Sequence, residues 1–299
     1  LKKKNFNFSF IFFLFCNIFS LTILKFENLV FTPLFSLLLI LSIGVSHGSL
    51  DHIKGKKLLK IFEIKNIYIF YLIYIFIAST VIVLWTIMPS ISLTIFLIVA
   101  SFHFGKEDTQ FLIAENSYLN QLLFFLKGLL VILAPMFFHF EETISIFKLL
   151  LIDNESFYRT LDFIEMNNLI LFGIILSTLS SILLFTKEFE LKKFTIFLDY
   201  FSILIINYYL SPLMAFTIYF CFLHSTRHGI TLMHELDEND LKNGLKIFIK
   251  KALPLTILTA TFCLLGLYLL NNSYNFDSSI LKVIFIGLAS LTFPHILLE

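Results

Sequence analysis

IYIFYLIYIFIASTVIVLWTIMPSISLTIFLIVAS, residues 67–101, holds no charged side chain and is broken only at Met88-Pro89-Ser90. A membrane crossing takes about 20 apolar residues. The stretch therefore supplies two crossings, with proline ending one helix or opening the next. Outward in both directions the pattern repeats. Apolar runs bounded by polar or proline breaks predict helices over 8–24, 29–50, 66–88, 90–106, 120–138, 168–186, 194–210, 212–234, 251–270 and 279–298. Leu210-Ser211-Pro212 is a second tight break, and 139–167 is the longest connection, with Glu141, Glu142, Asp153, Glu155, Asp162 and Glu165. The fold class is all-α: a polytopic membrane bundle of about 8–10 spans, read as one domain over 1–299 because no repeat or linker is visible.

Composition agrees. The chain is 58% hydrophobic and 14% charged, against about a quarter charged in soluble domains. A net charge of +1 excludes nucleic-acid binding by bulk electrostatics. Cys16, Cys221 and Cys263 lie in apolar runs without ligand spacing and read as small buried hydrophobes. Lys2–Lys4 followed by an apolar run resembles a signal peptide, yet no small-residue cleavage site follows, so it reads as a retained first span.

Counting basic residues sets the orientation. With the N-terminus in the cytoplasm, one set of loops holds Lys2, Lys3, Lys4, Lys54, Lys56, Lys57, Lys60, Lys65, Lys106, Lys187, Lys192, Lys193, Lys242, Lys246, Lys250 and Lys251. The opposite side holds Lys25, Lys148, Arg159 and Lys282. This asymmetry predicts a multi-pass inner-membrane protein with both termini cytoplasmic. His47, His52, His103, His224, His228 and His295 then fall near the cytoplasmic ends of even-numbered helices, at one depth, as a metal site between helices requires. His139 and His234 read as interfacial and structural.

Three motifs carry the chemistry. In His224-Ser225-Thr226-Arg227-His228 the histidines are four apart and share a helix face, so both can reach one ion. An intramembrane pair beside Arg227 is costly to bury, which points to function rather than chance. In Gly44-Val45-Ser46-His47-Gly48-Ser49-Leu50-Asp51-His52, Asp51 lies four from His47 and can accept the free ring N–H of a ligating histidine. His52 is about 140° round the helix from His47, so both reach one metal only if the helix ends between them. The competing reading is a helix C-terminus whose His and Lys complement the dipole. In Ser101-Phe102-His103-Phe104-Gly105-Lys106-Glu107-Asp108, only the shared depth lifts His103 above a satisfied core histidine, and Asp108 either orients a ligand or is solvated. His295, after Pro294, is a further ligand, a substrate-side group or a cap. Gly48, Gly105 and Gly229 are placed for close helix or ligand approach. Imidazole suits Zn, Cu, Fe and Ni alike. The residues alone thus give a membrane-embedded, histidine-held, redox-type metal centre handling something apolar.

HGSLDH at 47–52, SFHFGKED at 101–108, FCFLHSTRH at 220–228 and FPHILL at 293–298 together resemble the Brp/Blh-type bacterial and archaeal β-carotene 15,15′-dioxygenases, which make retinal for microbial rhodopsins. The resemblance implies Fe(II) held by His47, His103, His224 and His228, with Asp51, His52, Asp108, Arg227 and His295 as supporting groups or extra ligands. It implies O₂-dependent central cleavage of β-carotene to two molecules of retinal, a lipid bilayer as the medium, and a microbial rhodopsin as the receiver of retinal. Two other readings compete. A di-iron desaturase or hydroxylase needs about eight histidine ligands and predicts two irons per chain. A His/Asp proton-coupled transporter predicts full function without iron.

Overall fold

In lipid no water satisfies a backbone amide, so an apolar chain must close its hydrogen bonds within helices. The structure, a computed structural model, describes residues 2–25, 32–113, 117–187 and 189–298, apart from the side chains of residues 24, 25 and 47. Among the described residues there is no strand. The helices are α1 (Lys2–Lys25), α2 (Pro33–Leu39), α3 (Asp51–Ile61), α4 (Tyr68–Ile87), α5 (Pro89–Glu107), α6 (Tyr118–Phe138) and α7 (Phe140–Leu149). They continue with α8 (Glu155–Met166), α9 (Leu169–Thr186), α10 (Thr195–Tyr209), α11 (Pro212–Ile218), α12 (Thr226–Leu236), α13 (Leu241–Leu270) and α14 (Phe276–Ile296). Eight helical stretches among the described residues are long and apolar enough to cross a membrane.

Capping explains several boundaries. Ser117, Asn154, Asp240 and Asn275 each accept a first-turn backbone N–H with their side chains. Pro212 opens α11, where its missing N–H costs nothing. Asn168, in left-handed conformation, divides α8 from α9.

Several expectations need correction. The helix expected to stop at residue 50 continues: α2 passes into a π-turn, Ile40–Gly44, then a 3₁₀ turn, Val45–Leu50, then α3. The lysine-rich segment read as a loop is helical because Gly55 and Leu59 give it a buried stripe. The 139–167 connection contains α7 and α8, with Glu141 and Glu142 in the first turn of α7 and Lys148 in its last, complementing its dipole. The run 212–234 is no single α-helix, since a π-helical segment, Tyr219–Ser225, separates α11 from α12. α13 begins ten residues earlier than expected, so Lys242, Lys246, Lys250 and Lys251 are helical. Cys16 and Cys221 are buried as expected, whereas Cys263 is only partly so.

Contacts gather into two compact units. The first comprises residues 1–32, 95–148 and 153–228. Here α6 lies against α9 through small residues, with Ser177 and Ser180 donating to the Lys127 and Leu123 carbonyls. α5 meets α6 at Gly105 and Gly128, where a Cβ on either would stand 1.8 Å from a backbone oxygen of the other helix. Of the three glycines singled out by sequence, Gly105 alone sits at such a close approach; a Cβ on Gly48 or Gly229 would meet only ordinary contacts. The second unit comprises residues 33–94, 149–152 and 229–299. In it α14 packs on α4, and α13 on the 3₁₀ turn, fastened by a 2.8 Å hydrogen bond between Ser49 and Thr256. Leu50, Leu232, Phe248 and Ala252 form an apolar cluster there.

Candidate metal centre

The first unit brings His103, Asp108, His224, Arg227 and His228 together. His103 comes from α5, whose last helical residue is Glu107. Asp108 still closes a hydrogen bond to the Phe104 carbonyl, so it continues the helical register. Neighbours on a helix point about 100° apart, and the adjacent carboxylates accordingly reach different partners. His228 Nδ1 lies 2.9 Å from Glu107 Oε2, and His224 Nδ1 3.3 Å from Asp108 Oδ1. An ionised carboxylate only accepts. Nδ1 therefore donates in both rings, and in the neutral form of each ring Nε2 carries the lone pair.

The π-segment makes the second of these contacts workable. Tyr219 and His224 are five residues apart, which on an α-helix would aim them about 140° apart. A π-turn bonds i to i+5 and turns them toward one side. Both then reach one carboxylate, for the Tyr219 hydroxyl donates to Asp108 Oδ2 at 2.7 Å. Arg227 steadies the same group, donating to the Asp108 carbonyl at 3.2 Å with Nη1 3.6 Å from Oδ1. Its main partner is Asp199 of α10, gripped by both guanidinium ends at 2.8 Å, while Ser9 of α1 accepts a third bond at 2.7 Å. Arg227 is 2% exposed and Asp199 1%. Lys127 of α6, also buried, lies within electrostatic reach of Asp108 and Asp199.

The rings of His103 and His224 stand 5.0 Å apart by their centroids, at 72°. With metal–nitrogen bonds of about 2.1 Å, two imidazoles on one ion have centres about 5 Å apart, so this pair is spaced for shared ligation. Phe104 sets its edge against His224 at 4.8 Å and Phe220 stacks on it at 5.9 Å, leaving little space for water beside the ring. Among the described residues no three His, Cys, Asp or Glu side chains are gathered as a ready metal cage. The His47 side chain lies outside the described residues. The donor set nonetheless fits a metal: in the His224–His228 pair each imidazole is turned by a carboxylate at Nδ1, the usual arrangement around ligating histidines.

The second unit holds the other singled-out residues. Asp51 accepts from His295 Nδ1, at 2.8 and 2.9 Å to its two oxygens, and from the Tyr74 hydroxyl at 3.0 Å. Asp51 was expected to serve a histidine four residues away; the histidine described on it comes from the far end of the sequence. His295, the faintest signal by sequence, is 4% exposed and has the shortest carboxylate contact of the three paired histidines. His52 is half-buried, with Nδ1 3.0 Å from the Ser49 carbonyl. His139, read as structural, meets the Asn207 carbonyl through Nε2 at 2.8 Å.

Sequence reading missed Glu107, Asp199, Tyr219 and Tyr74. Glu107 stood inside a quoted motif, beside Asp108, and an acidic pair at a helix end was its only signal. Asp199 and Tyr74 lie in other apolar runs and announce nothing by spacing.

The chain is 29% identical over 268 residues to the beta-carotene 15,15′-dioxygenase of uncultured marine bacterium 66A03, covering 88% of this chain and 91% of that one. No solved structure matches. The family model described as beta-carotene 15,15′-dioxygenase matches residues 38–299, which include every motif histidine and the carboxylates paired with them. The chain belongs to the β-carotene 15,15′-dioxygenase family.

Proposed function

We propose that this protein cleaves the central 15,15′ double bond of β-carotene with O₂, giving two molecules of retinal, at a histidine-held iron(II) centre within the membrane. The family match over 38–299 carries this reading. The pairing of His224 and His228 with Asp108 and Glu107 supports the site. His103, His224 and His228 are three of the ligands; the fourth, His47, rests on the sequence motif alone. When bound, iron(II) supplies the redox chemistry that lets O₂ react with an unactivated alkene.

The chain's own residues do the rest. Glu107 and Asp108 hold two rings by Nδ1, and Phe104 and Phe220 keep water from His224. The reaction asks no general acid or base of the protein. Both oxygens of O₂ end as the two aldehyde oxygens. β-Carotene is a rigid apolar polyene dissolved in the acyl layer, so a lipid-facing entrance avoids transfer through water. With no polar handle on the substrate, groove length selects the central bond. The basic-residue asymmetry supports a plasma-membrane location with the site toward the cytoplasm, and a microbial rhodopsin is the receiver of retinal.

The test is pigment chromatography of β-carotene-producing bacteria expressing this chain, beside a His224→Ala control. Bleaching with retinal only in the unmutated strain is expected. Shorter or longer apocarotenals would move the cleaved bond. Intact β-carotene with folded, iron-loaded protein present would end the proposal.

A further inference from the structure

We propose that Glu107 and Asp108 are positioning residues: one carboxylate per ring, they fix both imidazoles of the His224–His228 pair in the Nδ1–H form, so that both present Nε2 to the metal. The inference rests on the metal reading above and adds how the ligand pair is held. His224 and His228 lie one helical turn, about 6 Å, apart, too far for one carboxylate to serve both. Two consecutive carboxylates at the end of another helix diverge by the right angle to serve one each, at 3.3 and 2.9 Å.

The two holds are not alike. Asp108 is itself fixed from three sides, by His224, the Tyr219 hydroxyl and the Arg227 guanidinium, and is 3% exposed. Glu107 lies at the edge of the cluster, with Gln110 beside it. A merely charge-balancing role would need neither the one-to-one pairing nor the Nδ1 contact, since a carboxylate compensates Arg227 or Lys127 from any direction.

The experiment uses full-length protein in lipid nanodiscs, with ¹⁵N-labelled histidine, as wild type, Asp108→Asn and Glu107→Gln. In metal-free protein, ¹⁵N resonances report which ring nitrogen carries the proton. Assigned by single His→Ala variants, His224 and His228 are both expected as Nδ1–H in wild type. Asp108→Asn should disturb His224 alone, and Glu107→Gln His228 alone. Iron(II) titration should show affinity falling about 10–100-fold in each variant, and kcat for β-carotene should drop with KM held. Glu107→Gln, at the cluster edge, keeps the question open to test should Asp108→Asn fail to fold. Nε2–H rings in the wild type, or resonances, iron affinity and kcat unchanged in both variants, would overturn the proposal. Wild-type protein with the expected resonances but no iron binding would sink the metal reading and uphold the positioning.

Discussion

Each unit of this molecule buries a histidine–carboxylate pairing, and each supports it differently. In the first, Asp108 and Glu107 sit within a network of opposite charges, with Arg227 clasped by Asp199 and Lys127 in electrostatic range. In the second, Asp51 holds His295 with help from a neutral hydroxyl, Tyr74. A guanidinium cannot shed its charge when a partner is lost, whereas an imidazole becomes neutral readily. The first arrangement is therefore rigid but brittle, and the second tolerant.

The sharpest way to break that contrast removes one carboxylate from each. Asp199→Ala removes the main carboxylate of Arg227 in a site 2% exposed, leaving Asp108 at 3.6 Å, and the expected loss is about 3–5 kcal/mol. Asp51→Ala leaves a neutral His295, with an expected loss of about 1–3 kcal/mol. Thermal unfolding in one detergent compares them, and equal losses would erase the distinction. A supporting role for Asp51 at the centre predicts that Asp51→Asn, which keeps the shape, weakens iron retention; unchanged iron content and activity would free Asp51 from any role there.

The two motif glycines Gly105 and Gly48 differ in how closely they are approached. Gly105→Ala drives a Cβ to 1.8 Å from the Phe124 carbonyl, an overpacking expected to cost at least about 1–3 kcal/mol. Gly48→Ala meets only atoms at 3.8 Å, and a shift within about 1 kcal/mol is expected, toward greater stability. Yield of monodisperse protein and melting temperature separate the two. A destabilised Gly48→Ala protein would show that the 3₁₀ turn is as tightly specified as the α5–α6 approach.

Hydroxyl removal is the finer probe. Tyr219→Phe and Tyr74→Phe each delete one donor to a buried carboxylate, for about 1 kcal/mol apiece in stability. Activity should part them, because only Tyr219 steadies the partner of a proposed ligand. If Tyr74→Phe lowers kcat as much as Tyr219→Phe, the second pairing belongs to the chemistry as well.

The smallest effect lies outside the membrane-spanning segments. Asp237 accepts from the Asn243 side chain and from the backbone N–H groups of Asp240 and Asn239, which hold its carboxyl below the usual range. Its contribution is present above the carboxylate's unfolded pKa and fades as pH falls through the lower folded one. Hydrogen-exchange protection across 237–243, relative to the intrinsic exchange rate at each pH, should therefore fall on acidification in wild type, and Asp237→Asn should flatten that fall. A wild-type profile in the variant would assign the change to other groups.

The helices were legible because lipid imposes a local rule: a long run without charges has one way to satisfy its backbone. The run at 67–101, broken at Pro89, became α4 and α5 nearly as read. His224 and His228 were legible as a pair because four-residue spacing and a costly arginine are local signals, and His103 joined them by its shared depth. What the sequence left hidden was the winding that carries no compositional mark. The π-turn at Tyr219–Ser225 aims Tyr219 and His224 at one carboxylate, and the 3₁₀ turn at Val45–Leu50 carries the helix past its expected end.

By itself, then, the sequence determined a helical membrane protein, its motif histidines and its family resemblance, since hydropathy and short spacings act along the chain. Only the tertiary structure decided which carboxylate turns which imidazole. Asp51 meets His295 across nearly the whole chain, and Glu107 and Asp108 divide the His224–His228 pair between them. Hydrogen bonds of 3 Å depend on how helices pack and wind, and side-chain spacing along one helix does not encode that.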